Sequence, residues 1–420
     1  DGIRDRSPSR GLGDVYKRQW LTWCLANHAR GAAVARWSTL VLSTMALTYI
    51  SAGAVMTDTF LVFGTTLSLV SMWFVLSGRS DYWRWWFFVG LAIGLLSKGP
   101  LAVVLTVTPL VLWAAIFRQQ LQPLKKLPWL LGSLLTLAIA VPWYVLAELK
   151  TPGFLNYFII GEHFSRFLDP GWAGDLYGSA HDRPKGMIWI FWIWASFPWG
   201  IIGLVGFGLA AARGKTKDIF TGAVQDASTL YLLFCAITPM LFFTLAGNTL
   251  WTYILPSLPF SAILIAGWVS QLNLRPWSRI RSGAVLLAPV LFTLSVFIGV
   301  SGVKPLKTEK QLIGRYESIQ QAGDGPIFYI GKMPFSARFY SLGDAVEITS
   351  TEFDSLLDAD GYARVFAAIP NDAVDKVLGP RATDAQKLGE NKRYQLFSID
   401  LPPTDSQNDP VDSELNSKND

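Results

Sequence analysis

Apolar runs long enough to cross a bilayer recur along the first 300 residues of this chain, and no other feature narrows its choice of fold so far. A membrane-crossing helix needs roughly 17 to 25 predominantly apolar residues, and candidate runs lie near 37–55, 59–77, 83–97, 100–117, 127–146, 187–210, 229–247, 251–270 and 283–301. Hydrophobic residues make up 51% of the chain and charged residues only 16%, so most of its length is suited to lipid rather than water. The expectation is an α-helical polytopic membrane protein of about nine helices, with residues 20–302 as its multi-pass part and no nucleic-acid partner.

Basic residues in the short loops set the orientation. Arg30 and Arg36, then Arg79 and Arg84, then Arg118, Lys125 and Lys126, then Arg213, Lys215 and Lys217, then Arg275, Arg279 and Arg281 fall on alternate loops. Those loops are expected on the cytoplasmic side. The opposite, external side receives the turns around Asp58, Lys98 and Asn248, the loop 147–186, and everything after about residue 302.

The two ends of the chain have another texture. Residues 1–19, DGIRDRSPSRGLGDVYKRQ, are polar and basic and fit neither a signal peptide's apolar core nor the start of a helix. They read as a non-native leader joined to a fragment, with WLTWCLANHAR as the tail of a helix that begins upstream. Beyond residue 302, strand-like IFYIG (327–331), AVEIT (345–349), RVFAAI (364–369) and RYQLFSI (393–399) alternate with helix-like stretches near 334–342, 351–358 and 371–379. This predicts a small external α/β domain over 303–400, in a supporting role because it carries no Gly-rich phosphate loop. Residues 401–420 lack the apolar content to fold and are expected to be disordered. Cys24 and Cys235 sit in or beside apolar runs and are expected to be inert thiols.

Residues able to do chemistry gather on the external side. Lys98 interrupts the apolar stretch GLAIGLLSKGPLAVVLTVTPLVLW between a serine and a Gly-Pro pair that breaks the helix. A lysine at a helix end can snorkel to the headgroups, but an ionisable residue at membrane depth is costly to keep and points to a function. In the loop 147–186, Phe154, Leu155, Tyr157, Phe158 and Ile159 precede a polar cluster of Glu162, His163 and Arg166, which suits an amphipathic interfacial helix. At helical spacing those three polar residues share a face, and a Glu-Arg pair stabilising an exposed helix would account for two of them equally well. Lys98 and Arg166 on one recessed face would suit an anionic lipid headgroup. Asp58 fits the N-cap of a helix starting at 59. Asn248, Trp251, Thr252 and Tyr253 lie near the same surface, as belt aromatics or as a platform for a sugar ring.

The series MTDTFLVFG, LLSKGPLAVVL, VPWYVLAELKTPGFLNYFIIGEHFSRFL, HDRPKG…FPW and TLWTYILPSLPF, followed by an α/β domain, resembles the bacterial family 39 glycosyltransferases of the GT-C fold. These are relatives of the aminoarabinose transferase that acts on lipid A and of protein O-mannosyltransferases. The resemblance runs over about residues 28–400, with SKGP and GEHFSRF its most specific pieces. It implies a transferase moving a sugar from a polyprenyl-phosphate donor to a lipid, protein or glycan acceptor at the periplasmic face of the bacterial inner membrane, with inversion. Carried over, Lys98 and Arg166 would hold the carrier phosphate, His163 and Glu162 would line that pocket, and Tyr253 would sit by the sugar or phosphate. The family's catalytic acid lies in its first external loop, which this chain is expected to lack; Asp58 is the nearest acid, at a later position of the pattern. No cofactor follows from these residues, and a divalent metal would need ligands from outside them.

Two rival classes are weaker. A secondary transporter of an anionic or lipid-linked substrate would place its rare charges near the midplane between internal repeats, whereas no repeat is visible here and the candidates crowd one face. A membrane-anchored binding protein would need a ligand motif in 303–400, and none appears.

Overall fold

In a computed structural model, residues 7–53, 56–79, 81–169, 172, 174, 183–214, 216–271, 308–358 and 361–401 are described, with isolated positions between 287 and 297. The expected span at 283–301, the tail from 402 and residues 1–6 of the leader lie outside them or nearly so. The chain divides into two compact units, Asp1–Leu294 and Ser295–Asp420.

The first unit is helical. Its helices are α1 (Ser7–Arg30), α2 (Ala32–Thr44), α3 (Ala46–Gly53), α4 (Thr57–Leu76), α5 (Trp83–Lys98), α6 (Leu101–Ile116), α7 (Trp129–Lys150), the short α8 (Arg166–Leu168), α9 (Met187–Ala195), α10 (Trp199–Ala212), α11 (Thr216–Gln225), α12 (Ala227–Thr244) and α13 (Leu258–Gln271). A π-helix, Asn156–Ser165, precedes α8, and a 3₁₀ segment, Trp251–Ser257, leads into α13. Among the described residues, Thr57–Leu76, Trp129–Lys150, Ala227–Thr244 and Trp251–Trp268 are long and apolar enough to cross a membrane. Two bent pairs join them if each counts as one span: Leu101–Ile116 with Arg118–Lys126, at 114°, and Met187–Ala195 with Trp199–Ala212, at 108°.

The expected runs therefore differ in detail from the helices. The run 37–55 is two helices that meet at Met45, whose backbone is extended. The run 187–210 folds back at Ser196–Pro198, because Pro198 cannot continue the hydrogen-bond ladder. Helices α5 and α6 are 16 residues each, about 24 Å of rise, short of a full bilayer core. The reading of residues 1–19 as lying outside any helix is corrected from Ser7 onward: Arg18 is buried with its guanidinium on the Ser51 hydroxyl, and Gln19 donates to the Ser43 hydroxyl at 2.9 Å.

Small residues hold α4 against α5. A Cβ on Gly64 would stand 2.6 Å from the Gly90 carbonyl oxygen and 2.7 Å from the Gly94 nitrogen, closer than real contacts allow. Ser68 donates to the Phe87 carbonyl at 2.8 Å across the same seam. Glycines spaced four apart let helix backbones approach closely in membranes, where dispersion rather than the hydrophobic effect drives packing.

The helices place their ends in two groups. At one end, Ser97 donates to the Thr57 carbonyl at 2.7 Å, His163 reaches the Lys98 carbonyl, and Asn248 donates to the carbonyls of Arg166 and Asp169 at 3.1 and 2.9 Å. At the other, Arg30 pairs with Asp226, the Trp113 indole donates to the Ala227 carbonyl, and Arg84 donates to the Lys126 carbonyl. The short turns at Asp58, Lys98 and Asn248 thus share one end, and the basic turns at Arg30, Arg84 and Lys126 share the other, while the basic turn at Arg275, Arg279 and Arg281 lies outside the described residues.

The second unit is a five-stranded sheet ordered β2-β1-β3-β5-β4, from β1 (Ile327–Ile330), β2 (Val346–Ile348), β3 (Arg364–Pro370), β4 (Ala385–Glu390) and β5 (Tyr394–Asp400). Strand β1 runs parallel to β2 and β3, and β5 runs antiparallel to β3 and β4. β1 is buried throughout and β3 is buried between its two end residues, which suits near-continuous apolar runs covered on both faces. Strand β4 was not expected. Its sequence AQKLGE is half-exposed, interrupted by glycine, and carries a bulge between Lys387 and Gly389, so it lacks the alternation that marks a strand.

Candidate functional site

A cavity of about 1000 Å³ opens at the end of the helical unit where the turns at Asp58, Lys98 and Asn248 gather. Lys98, Glu162, His163, Arg166 and Tyr253 all line it, and the sixth expected residue, Asp58, reaches it through Lys98, with 3.5 Å between Asp58 Oδ1 and Lys98 Nζ. The rest of the wall is largely apolar, including Leu101, Val104, Trp143, Phe154, Phe158 and Phe167.

Lys98 is the last residue of α5. The helix stops there because Gly99 takes φ +53, a conformation that residues with a Cβ avoid, and Pro100 then stands as the N-cap of α6. The last carbonyls of a helix have no partner within it, and three groups satisfy them here. Gly99 N–H and the Tyr144 hydroxyl donate to the Leu95 carbonyl, at 2.9 and 2.6 Å, while His163 Nε2 sits 2.7 Å from the Lys98 carbonyl oxygen.

Arg166 follows the π-helix Asn156–Ser165. This segment was expected as an ordinary amphipathic helix, and the wider winding changes which residues meet. In a π-helix residues five apart line up, and Tyr157 accordingly donates to Glu162 at 2.6 Å while His163 Nδ1 lies 2.6 Å from the Phe158 carbonyl oxygen. The Glu162–Arg166 pair also forms, at 2.8 Å, but it faces the cavity and is less than a fifth exposed, so it is more than a surface pair. The start of the segment is tied down by Glu148, whose carboxylate accepts from Gly153 and Leu155 N–H. Its end is tied by Asn248 and by Gly247 N–H, which donates to the Phe167 carbonyl at 2.8 Å.

Asp58 is corrected as an N-cap. Helix α4 begins at Thr57 with Met56 as its cap, so Asp58 stands in the first turn and turns its carboxylate to Lys98. Sequence reasoning placed Tyr157, Phe154 and Phe158 on the apolar part of an interfacial helix and missed the Tyr157–Glu162 contact, whose five-residue spacing has no signature at the usual helical period; the Phe154 and Phe158 rings, four apart in sequence, stack with centroids 5.4 Å apart. Among the described residues no group of His, Cys, Asp and Glu could hold a metal ion.

Residues 20–158 match the family described as dolichyl-phosphate-mannose-protein mannosyltransferase. A crystal structure of ArnT from Cupriavidus metallidurans bound to undecaprenyl phosphate superposes with a TM-score of 0.71 over 95% of this chain and 85% of that one, at 16% identity. The apo form of the same protein gives 0.70. The chain has the GT-C fold of ArnT. Among curated relatives, it is 30% identical to undecaprenyl phosphate-alpha-4-amino-4-deoxy-L-arabinose arabinosyl transferase 2 of Pseudomonas fluorescens over 52% of this chain and 35% of that protein. Transferase 1 from another strain of that species is 28% identical over 70% of this chain and 48% of the relative. This chain thus spans a third to a half of the curated relatives it matches. The resemblance to family 39 glycosyltransferases stands on sequence and on fold together.

Proposed function

We propose that this chain carries the donor-phosphate site of a membrane glycosyltransferase, which moves a sugar from a polyprenyl-phosphate carrier to a lipid A-like, protein or glycan acceptor at the periplasmic face of the inner membrane. The observation that carries the reading is the convergence of Lys98 and Arg166, 68 positions apart in sequence, on one mostly apolar cavity of about 1000 Å³. An apolar wall suits the first isoprene units of a carrier, and two cations suit its phosphate. The transferase names of the relatives and the undecaprenyl phosphate in the ArnT crystal support the same carrier.

In the proposed reaction the acceptor oxygen attacks the anomeric carbon as the bond from that carbon to the phosphate oxygen breaks. The electron pair stays on the phosphate, which becomes a dianion, and inversion follows from the single displacement. Fixed cations in a water-poor pocket stabilise the charge that develops on the leaving group. Lys98 supplies a point charge and Arg166 a planar fork matched to two phosphate oxygens. Asp58 and Glu162 hold these cations in place before the ligand arrives, which limits reorganisation during binding. The acceptor's proton passes to a carboxylate that the family resemblance assigns to its first external loop. Tyr253, stacked on Phe243 at 4.6 Å, stands at the same wall and offers a ring to the sugar.

The test is retention of undecaprenyl phosphate by the full chain in nanodiscs. Saturable binding that Lys98→Met abolishes supports the reading. Equal binding by the wild type and that variant returns Lys98 to a snorkelling role.

A further inference from the structure

The imidazole of His163 stands between two acceptors. Nδ1 is 2.6 Å from the Phe158 carbonyl oxygen and Nε2 is 2.7 Å from the Lys98 carbonyl oxygen. A carbonyl oxygen only accepts, and a neutral imidazole has one N–H. In the neutral form one ring nitrogen would point its lone pair at an oxygen lone pair, whereas the imidazolium donates to both.

Packing leaves the ring little choice of place. The Phe158 ring meets it edge-on at 5.0 Å. Gly99 lies directly beneath, where an added Cβ would stand 3.0 and 3.1 Å from His163 Cε1 and Nε2. Flipping the ring would turn carbons toward both carbonyls and lose both bonds.

The charges around the cavity point the same way. Among the described residues, its charged lining is Lys98, Glu162 and Arg166, and Asp58 pairs with Lys98. Two cations balance two carboxylates, so the wall carries no net charge from these groups. The other titratable groups facing the ring's surroundings are phenols: Tyr157 on its own segment, Tyr144 on α7 and Tyr253 on the 3₁₀ segment. A cationic His163 would give the wall the positive balance that a phosphate needs.

We propose that His163 is a positioning residue held as an imidazolium, whose two N–H groups lock the Lys98 turn onto the π-helix that carries Glu162 and leads to Arg166, and whose charge tips the cavity toward anions. The phosphate part of this inference rests on the function proposed above; the clamp does not.

Nuclear magnetic resonance of the full chain in nanodiscs, labelled with ¹⁵N at histidine, tests the clamp without ligand. The chain has three histidines, and His163→Gln removes one signal and so assigns it. Both ring nitrogens of His163 should carry a proton, as the two carbonyl contacts require; a signal with one unprotonated nitrogen overturns the clamp. Binding of undecaprenyl phosphate tests the charge. Wild type should bind about tenfold more tightly than His163→Gln, which keeps a hydrogen-bonding side chain but carries no charge. Equal affinities overturn the charge role. Failure of the wild type to bind overturns the polyprenyl-phosphate reading instead, and the nitrogen signals still decide the clamp.

Discussion

The two ends of the helical unit both hold ion pairs, yet only one of these sets lines the cavity. At the end that gathers the basic turns, Arg30 meets Asp226 at 2.8 Å with side-chain exposures of 23% and 40%. At the cavity end, Arg166 meets Glu162 at the same distance with 18% and 19%, and Lys98 meets Asp58 at 3.5 Å with 30% and 14%. Partial burial therefore does not separate the two. The backbone does: Asp226 caps a regular helix, its carboxylate accepting from Ser228 N–H at 3.1 Å, and Arg30 and Thr229 close round it. The cavity pairs sit where regular backbone fails, on a π-helix and on a Gly-Pro turn. A charge in a cap is consumed by the helix terminus, whereas a charge beside a broken helix is left facing the space that the break opens.

The largest expected effect breaks that comparison if it fails. Lys98→Met and Arg166→Ala should each weaken undecaprenyl phosphate binding by about 100-fold or more, since removing one member of a partly buried charged contact typically costs 2–5 kcal/mol. Arg166→Lys should recover part of the loss, because a point charge replaces a fork. Arg30→Met, at the other end, should leave binding within about twofold. Isothermal titration on all four proteins decides the matter; equal losses at both ends would mean that the cavity has no special part in binding.

Gly99→Ala sharpens the comparison at the turn itself. The added methyl meets φ +53 and would press on Phe158 and His163 at 2.9 to 3.1 Å. Strain of this kind costs about 1–3 kcal/mol, and relief by moving His163 would release the Lys98 carbonyl. Binding should fall about tenfold with Lys98 and Arg166 both present. Unchanged affinity would show that the turn tolerates the shift and that its geometry is incidental.

Much of this was legible in the sequence, because composition and charge report on position. Lys98, Arg166, His163, Glu162 and Tyr253 could be assigned to one side from the alternation of basic loops, and all five line one cavity. Strands β1, β2, β3 and β5 could be read from short apolar runs between turn residues. What was not legible depended on backbone form rather than residue type. The five-residue registers of Tyr157 with Glu162 and Phe158 with His163 cannot be anticipated by a reader who assumes the α-helical period. Nor does a glycine in a span announce whether it is a hinge or a seam. Gly64, Gly90 and Gly94 prove to be a seam only when α4 and α5 are seen in contact.

A smaller effect belongs to the capped end. Arg30→Met removes a partner from Asp226 without opening a cavity, and partly exposed pairs contribute about 0–1 kcal/mol. Thermal unfolding in detergent should show a midpoint lowered by about 2–4 °C at most. A drop much larger than this would make the pair a structural keystone and would undo the claim that the two ends differ in what their charges are for.

The smallest effect is in pH. Burial alone would raise the Asp226 carboxyl, but hydrogen bonds from Thr229 and Ser228 and the charge of Arg30 together hold it below the usual carboxylate range. A carboxyl depressed in the folded state contributes stability that is fully present above its unfolded value and is lost as pH falls through the folded one. The capped end should therefore loosen on acidification below about pH 4, the ordinary carboxylate range, and be indifferent to pH above it. Asp226→Asn should flatten this acid dependence while lowering stability slightly near neutral pH, because the amide keeps the cap but loses the pairing with Arg30. Midpoints of thermal unfolding measured from acid to neutral pH for both proteins provide the comparison. An acid slope equally steep in Asp226→Asn would place the sensitive group elsewhere, and Asp226 would then be a helix cap whose charge contributes nothing.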